Sequence, residues 1–368
     1  DPPPLAIDTA FDEIPNFDIS QYTLETSSGP VAPGRFSHSG IPAGIVFAGV
    51  DGDFLDRTYF QQDVLVKYQS ASGFSIDDNG SVHCRGYWGL YRSTQRHGNE
   101  LVSTYIGDFA EGVPYHEWAH WRQYAVQPPS IPTLIALNKE PTIPDAVNGL
   151  VDDLHRMNEA VSAFATRCAG TLVDAVWTGS LDSLAGRQLK WVYPSTAADE
   201  EFITRATLLA TLVLDALSEK LGRTLLVTFG PELHLSFDGK KRSLGSRNLV
   251  QRLMLVAAVI EQIKPTSTEI ADHVVWAETG KGCGDSDLQR ELNAINAAVR
   301  QEFAPLAFLY DLRNFGGLAH APSRSGFSKT AMTLGFAGKD WHRKDYLKLI
   351  SLVAGAVQAI SGRLDAAG

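Results

Sequence analysis

The sequence predicts an α+β protein in which a β-rich N-terminal module is followed by an antiparallel four-helix bundle. Between residues 45 and 109, short β-prone runs alternate with turn residues. After residue 198, long segments instead repeat apolar residues with the helical period of about 3.6. A chain of 368 residues also favours two or three domains over one small core. The predicted regions are an extended or poorly ordered arm, 1–40, a β-rich module ending in a short helix, 41–130, a connector with a long helix, 131–197, and a helical domain, 198–368.

Turn and stop signals define the elements of the N-terminal half. The arm is rich in Pro, Gly, Ser and acidic residues and has little apolar periodicity. Asp77–Gly80 is a strong turn sequence between two β-prone runs and predicts a hairpin. Pro114 suits the first turn of a helix that would run to about Tyr124, before Pro128 and Pro129. The predicted strands are Ile45–Val50, Val64–Tyr68, Phe74–Ile76, Val82–Tyr91 and Leu101–Phe109.

Helical periodicity dominates the second half. The connector carries a clear amphipathic helix from Ala146 to Cys168, which Gly170 closes. The bundle is predicted from four further helices: Glu200–Leu221, Ser246 to Pro265, Ser286 to Arg313, and Asp340–Leu364. Pro305 lies inside the third of these and is expected to kink or restart it.

Composition and charge narrow the class of protein. The chain is 44% hydrophobic and 20% charged, which is typical of a globular protein, and its sequence shows no apolar run that predicts a membrane span. A net charge of −10 argues against a protein that coats nucleic acid with its whole surface, but it permits a local basic site. The three cysteines are far apart, so neither a disulfide framework nor a cysteine zinc cluster is expected. We therefore expect a cytoplasmic protein without a membrane partner.

The end of the third bundle helix carries the residues most suggestive of chemistry. Arg313 and Asn314 occupy its last turn, a glycine-containing turn follows, and His320 comes next. An arginine can hold a phosphate in a fork, and an imidazole moves a proton near neutral pH. The surroundings are basic, with seven Lys or Arg and two acidic residues between Arg313 and Lys348. Arg92 and His97 have a similar spacing, but no predicted helix precedes them.

This arrangement resembles the HEPN family, whose ribonucleases carry Arg, a polar residue and, after about four to six residues, His. Six residues separate Arg313 from His320, and the motif follows the third helix, as in that family. The resemblance covers about residues 198–365. It implies metal-independent RNA cleavage without a cofactor, in which His320 moves protons, Arg313 stabilises charge on the phosphate, and Asn314 orients one of these groups.

The resemblance also implies partners and a biological setting. HEPN sites are commonly composite, so a homodimer is expected, and the enzyme would be an endoribonuclease of the bacterial toxin or phage-defence kind. An antitoxin or sensor partner fits that setting, with the N-terminal module sensing a ligand or partner. The basic residues expected to bind the RNA are Arg324, Lys329, Arg343 and Lys344. The alternative is a non-catalytic HEPN module that binds nucleic acid, nucleotide or a protein.

A second alternative is a zinc metallopeptidase. His116, Glu117 and His120 match the zinc-protease helix motif, with two histidine ligands one turn apart and a glutamate as general base. Glu159 lies in a segment that resembles the one supplying the third ligand in thermolysin-like enzymes. The motif, however, falls in the first turn of its predicted helix, and Glu159 follows His120 at a longer spacing than those enzymes use.

A packing role explains the same string. Trp118, Trp121 and Tyr124 would pack at a junction between a strand and a helix, leaving the two histidines partly exposed. The run from Gly107 to Pro129 is otherwise similar only to segments of uncharacterised bacterial proteins with C-terminal helical domains.

Overall fold

The computed structural model describes residues 57–71, 73–85, 87–110, 113–170, 173–196, 199–237, 242–316, 331–336 and 341–367, together with four short strands before residue 57. The chain forms two compact units, residues 1–142 with 192–194 and residues 143–191 with 195–368. The predicted connector is divided between them, because its long helix belongs to the second unit. The mixed character is confirmed: antiparallel sheets lie on the N-terminal side, and the C-terminal part is helical.

The sheets of the first unit are small and antiparallel. The strands are β1 Leu24–Thr26, β2 Gly29–Val31, β3 Val46–Phe47, β4 Val50–Asp51, β5 Arg57–Gln61, β6 Phe74–Ile76, β7 Val82–Cys84, β8 Trp88–Leu90, β9 Gln95–His97, β10 Leu101–Tyr105 and β11 Ala125–Val126. The four-stranded sheet has the order β11-β5-β10-β9, and the three-stranded sheet has the order β6-β7-β8. Strands β1 and β2 lie within the predicted arm, of which the structure describes only these residues.

The predicted hairpin at Asp77–Gly80 is confirmed. Strands β6 and β7 pair in register from Phe74 with Cys84 to Ile76 with Val82. The Asp77 carboxylate accepts hydrogen bonds from the backbone N–H groups of Asn79 and Ser81, at 2.9 and 2.8 Å. Such a local bond competes with a longer strand and fixes the turn.

Several strand predictions in this unit were wrong in detail. The run predicted as one strand, Val82–Tyr91, forms the two antiparallel strands β7 and β8. Val64–Tyr68 forms a 3-10 turn, Gln62–Leu65, and then a short helix α1, Val66–Gln69. A short apolar run does not distinguish a strand from a buried helical turn by its pattern alone. The strand predicted at Leu101–Phe109 ends at Tyr105, where helix α2, Ile106–Ala110, begins.

The core of the first unit lies between these sheets and helix α3, Tyr115–Arg122, whose start after Pro114 agrees with the prediction. Trp118 and Trp121 on α3 are buried, as the packing interpretation required. The ring of Trp121 meets the ring of Phe60 edge to face, with 4.9 Å between centroids. Aromatic contacts of this kind anchor α3 on the four-stranded sheet.

The second unit consists of helices. They are α5 Ile143–Ala169, α6 Leu184–Leu189, α7 Asp199–Ala210, α8 Glu219–Phe229, α9 Ser246–Ile263, α10 Ile270–Thr279, α11 Ser286–Gly316 and α12 Arg343–Ala366. Helix α5 confirms the predicted helix and packs against α12, which also contacts α9 and α11. Helix α10 and, in the first unit, helix α4, Ile131–Leu137, were not predicted. Prolines around α4 suggested a loop, but Pro132 lies in its first turn, where proline is tolerated.

The helix predicted at Glu200–Leu221 is interrupted. Helix α7 continues into a π-helical turn, Thr211–Asp215, and a new helix begins after Ser218, whose hydroxyl accepts a hydrogen bond from the Leu221 N–H. A π turn adds a residue to the helical repeat and rotates the side chains that follow it. As a result, Asp215 faces α11.

Helix α11 passes through Pro305 without restarting. It covers 31 residues and ends with the turn that carries Arg313. The apolar residues Phe303, Leu306, Phe308 and Leu309 are buried on either side of the proline. Packing of this length of helix therefore outweighs the one backbone hydrogen bond that Pro305 cannot make.

Helix α12 is long enough and apolar enough to cross a membrane, judged by length and composition alone. The sequence expectation that no such stretch is present is therefore not met. The core helix of a folded protein passes the same test, and one side of α12 is packed inside the unit. Its buried residues are Tyr346, Leu349, Ile350, Val353, Ala356, Val357, Ile360 and Leu364.

Candidate functional site

The predicted catalytic residues are described in part. Arg313 and Asn314 lie in the last turn of α11, and both side chains are partly exposed. His320, Arg324 and Lys329 lie outside the described residues. Arg343 and Lys344 form the first turn of α12 in the same unit.

Arg313 is held by a carboxylate that the sequence analysis did not identify. Its Nη1 atom lies 2.5 Å from Oδ1 of Asp215, the last residue of the π turn, and about a third of each side chain is exposed. Among the described residues, Nε and Nη2 of Arg313 have no bonding partner. A guanidinium carries five donors, so one edge can be fixed by Asp215 while the other remains free for two phosphate oxygens.

A second arginine, Arg247, stacks on Tyr310, the residue one helical turn before Arg313. The guanidinium of Arg247, at the start of α9, lies over the ring of Tyr310, 4.3 Å from its centroid. Burial lowers the pKa of Arg247, and the neighbouring Asp311 acts in the opposite direction. Burial likewise raises the pKa of the Asp311 carboxyl, which Arg247 counteracts. Tyr310 and Arg313 are three residues apart and share a face of α11, so Arg247 stands beside the same surface.

The described charges around Arg313 and Arg247 are balanced. Arg247 and Arg313 are matched by Asp311 and Asp215. The basic excess that the sequence predicted comes from residues such as Arg324, Lys329 and Lys339, outside the described ranges, and from the first turn of α12. The three-residue spacing indicates that Tyr310 neighbours Arg313 on the helix. No sequence pattern indicates that Asp215 lies next to Arg313.

Both flanks of the segment that carries His320 are anchored in the second unit. On one side is the end of α11, and on the other a cluster of stacked rings. Phe336 stacks on Phe308 of α11, with centroids 5.4 Å apart, and Trp341 stacks on Phe202 of α7 at 4.2 Å. The backbone N–H of Trp341 also donates a hydrogen bond to the Asp199 carboxylate. The described residues on either side of this segment, up to 316 and from 331, are therefore packed in one folded unit.

The start of α12 combines a helix N-terminus with two cations. His342 and Asp345 form a capping box, in which the Asp345 carboxylate accepts from the His342 N–H at 2.9 Å. Arg343 and Lys344 follow the cap directly, although cations are disfavoured by the helix dipole at this end. A bound anion would be attracted by both the dipole and these side chains.

Glu117 and His120 of the zinc motif make hydrogen bonds within the first unit. Both carboxylate oxygens of buried Glu117 accept hydrogen bonds from Lys67 Nζ, at 2.9 and 2.8 Å, and Tyr68 donates its hydroxyl hydrogen to the same carboxylate. Tyr68 in turn accepts from the Trp121 indole at 2.9 Å, and burial raises its pKa strongly. Glu117 is therefore not free to act as the general base that the motif requires.

The other members of the proposed zinc set are divided between the two units. His120 Nε2 lies 2.9 Å from the carbonyl oxygen of Val64 and donates to it, and burial lowers the pKa of this ring. Glu159 is exposed on α5 in the second unit, and the side chain of His116 lies outside what is described. The described residues contain no group of three or more His, Cys, Asp or Glu that could hold a metal ion.

The second match to the Arg–His spacing is also a packing feature. His97 on β9 is buried, and its ring nitrogens lie 2.8 Å from Ser103 Oγ and 3.1 Å from Asn138 Oδ1. Burial lowers the pKa of His97. Because Ser103 is fully buried, this serine, histidine and asparagine link β9, β10 and the end of α4 rather than face a substrate.

No protein-family model, no curated protein and no solved structure matches the chain. The chemistry open to the site follows from its own groups. Arg313 has donors without a partner among the described residues, and Asn314, also partly exposed, follows it in the chain. Donors of these two kinds can bind a phosphodiester.

Proposed function

We propose that the chain is a metal-independent endoribonuclease. Its helical unit would be a HEPN-like antiparallel four-helix bundle, and Arg313, Asn314 and His320 would act on RNA. The observation that carries this proposal is the state of Arg313: it stands at the end of a long helix, partly exposed, with one edge fixed by Asp215. A surface arginine that only complements a helix dipole needs no such partner from another element.

The proposed chemistry is an internal transfer at phosphorus. The 2′-hydroxyl loses its proton and attacks the adjacent phosphorus, and the 5′-oxygen leaves and takes up a proton, giving a 2′,3′-cyclic phosphate and a 5′-hydroxyl. His320 would carry one of these protons. The free donors of Arg313 would bind the two non-bridging oxygens as negative charge grows on them, and Asn314 would orient the phosphate.

The wider proposal includes binding residues and partners. Arg324, Lys329, Arg343 and Lys344 would contact the RNA backbone, because each phosphate favours a nearby cation. The site would be completed across a homodimer. The protein would act in the bacterial cytoplasm as a toxin or phage-defence effector, with an antitoxin or sensor partner.

Cleavage of total RNA by the purified full chain in EDTA tests this proposal. Wild type is expected to cut, and His320→Ala and Arg313→Ala to lose activity by about a hundredfold or more. Matched controls are His155→Ala, an exposed histidine of the same unit, and Arg290→Ala, which removes only a surface ion pair on the same helix. Both controls should cut like wild type.

Two outcomes would overturn the proposal. Equal loss in Arg290→Ala and Arg313→Ala would assign the effect to helix α11 in general. Absence of cutting by wild type, combined with RNA binding that Arg313→Ala weakens, would instead identify a non-catalytic binding module.

A further inference from the structure

The first unit contains a cavity that neither the ribonuclease proposal nor the zinc motif involves. It has a volume of about 300 Å³ and lies where β8 and the turn after it meet the start of α2. This volume is at the lower end of the range for small-molecule sites. The residues that give its walls their chemistry are Tyr87, Trp88, Gly89, Tyr91, Arg92 and Asp108.

One wall of the cavity is aromatic and open. Tyr87 and Tyr91 are 50% and 51% exposed, which is unusual for large rings that line a concavity. Tyr91 stacks on His83, with 5.2 Å between centroids and 18° between planes. A Cβ atom at Gly89 would lie 2.7 Å from Cδ1 of Tyr91, so only glycine at this strand position leaves room for the ring. The Tyr91 ring is therefore held against His83 on one face, and Tyr91 lines the cavity.

Asp108, another lining residue, presents an acceptor held in place. Oδ2 of Asp108 accepts hydrogen bonds from the Ser93 N–H and the Thr104 hydroxyl, both at 3.1 Å, and from the Ser93 hydroxyl. Oδ1 of the same carboxylate has no hydrogen bond to any described residue. Asp108 is thus held by one oxygen, while the other has no partner among the described residues and could accept from a ligand.

Trp88 adds an unsatisfied donor to the same region. The residue is 7% exposed, and its indole Nε1 finds no acceptor among the described residues. A buried donor without a partner costs about 1–3 kcal/mol and is rare in native proteins. Arg92 contributes a cation to the rim. The lining of the cavity therefore combines aromatic rings, the Asp108 carboxylate and the charge of Arg92, with the buried Trp88 indole behind it.

We propose that this cavity binds a free nucleotide. The base would stack on Tyr91, an exocyclic amino group would donate to Oδ1 of Asp108, and Arg92 would hold the phosphate. Stacking of a base on an aromatic side chain contributes about 1–3 kcal/mol and does not depend strongly on sequence. All the residues of this site lie in the first unit, so the proposed nucleotide binding can be tested independently of the cleavage proposed at Arg313.

Calorimetric titration of the full chain with AMP, GMP and CMP tests the proposal. At least one of them is expected to bind, and Tyr91→Leu to weaken that binding about tenfold or more. Tyr91→Phe keeps the ring and should bind like wild type. Tyr105→Leu is the matched control, because Tyr105 is an exposed tyrosine of the same unit that does not line the cavity. Circular dichroism of each variant confirms folding.

Ligand analogues distinguish the contacts from a general structural effect. For the tightest nucleotide, removal of the exocyclic amino group should weaken binding to wild type about tenfold but leave binding to Asp108→Asn unchanged. Arg92→Gln should remove the preference for the nucleotide over its nucleoside. No binding by wild type at about 1 mM, or equal affinity in wild type and Tyr91→Leu, would overturn the proposal. RNA cleavage measured on the same samples reports separately on the helical unit.

Discussion

Oδ1 of Asp215 lies 2.5 Å from Nη1 of Arg313, across two helices that the sequence does not show to be neighbours. Both side chains are about one third exposed, and ion pairs of that exposure contribute little to stability, about 0–1 kcal/mol. The pair therefore has more influence on where the guanidinium points than on whether the unit folds. The effect of Asp215 on activity can therefore be measured separately from its effect on stability.

Asp215→Asn should reduce RNA cleavage about tenfold, equivalent to about 1.4 kcal/mol, while changing the free energy of unfolding by no more than about 1 kcal/mol. The amide still fills the space but no longer holds the guanidinium by charge. Cleavage rates and urea unfolding measure the two effects. Asp287→Asn is the control, because Asp287 pairs with Arg290 at the exposed start of α11. Unchanged cleavage in Asp215→Asn would remove the positioning role.

Glu117→Ala should destabilise the first unit by about 1–3 kcal/mol, because it leaves the buried Tyr68 hydroxyl without its acceptor. Urea unfolding followed by tryptophan fluorescence measures this change. Glu140→Ala, at an exposed position of the same unit, should change stability by less than about 0.5 kcal/mol. A zinc-dependent rise in wild-type stability that His116→Ala abolishes would contradict the packing role and favour a metal centre.

The stability of the first unit should decrease as the solution is acidified below about pH 6.5. Burial lowers the pKa of both His97 and His120 in the folded state, so the unfolded chain binds protons first. The two histidines contribute their full stabilisation above the pKa that they have in the unfolded chain. This stabilisation is lost as the pH falls through their lower pKa in the folded protein. His97→Gln should be less stable than wild type at about pH 7.5, and the difference should shrink on acidification. A difference that stays constant with pH would contradict this origin, and exposed His155→Gln serves as the reference.

Gly98→Ala should cost more stability than Gly73→Ala, although both glycines have positive φ, +56° and +95°. Alanine strains the backbone at either position by about 1–2 kcal/mol. At Gly98 the new Cβ would also lie 2.7 Å from the carbonyl oxygen of Leu137, whereas nothing lies within 4 Å at Gly73. Thermal unfolding of the two variants compares them directly. Equal losses of stability in the two variants would contradict this prediction, because they would mean that the Leu137 carbonyl moves away from the new Cβ without a measurable energetic cost.

Local signals predicted the elements with strong periodicity or a specific turn. The apolar stripe of α5, the turn at Asp77–Gly80 and Pro114 at the start of α3 each act within a few residues, so the sequence alone determined them. The run Val64–Tyr68 was ambiguous, because buried strands and buried helical turns share an apolar pattern. The π turn at Thr211–Asp215 depends on the packing of α7 against neighbouring helices, which no local pattern reveals.

The candidate site divides in the same way. Arg313 was found because its position at a helix end is a local property. Its partner Asp215 and the stacking of Arg247 on Tyr310 are long-range relationships, and only the fold brings them together. The zinc motif shows the opposite case: the string is complete, but the environment of Glu117 commits it to Lys67 and Tyr68.

The short return of residues 192–194 to the first unit has a practical consequence. Val192 is buried in that unit's core, so the polypeptide crosses between the units three times rather than once. A gene truncated after residue 142 would encode an N-terminal piece without one of its own core side chains. A piece starting at residue 143 would keep a segment that belongs elsewhere. Separate expression of the N-terminal half therefore requires a designed linker that joins residue 142 directly to residues 192–194.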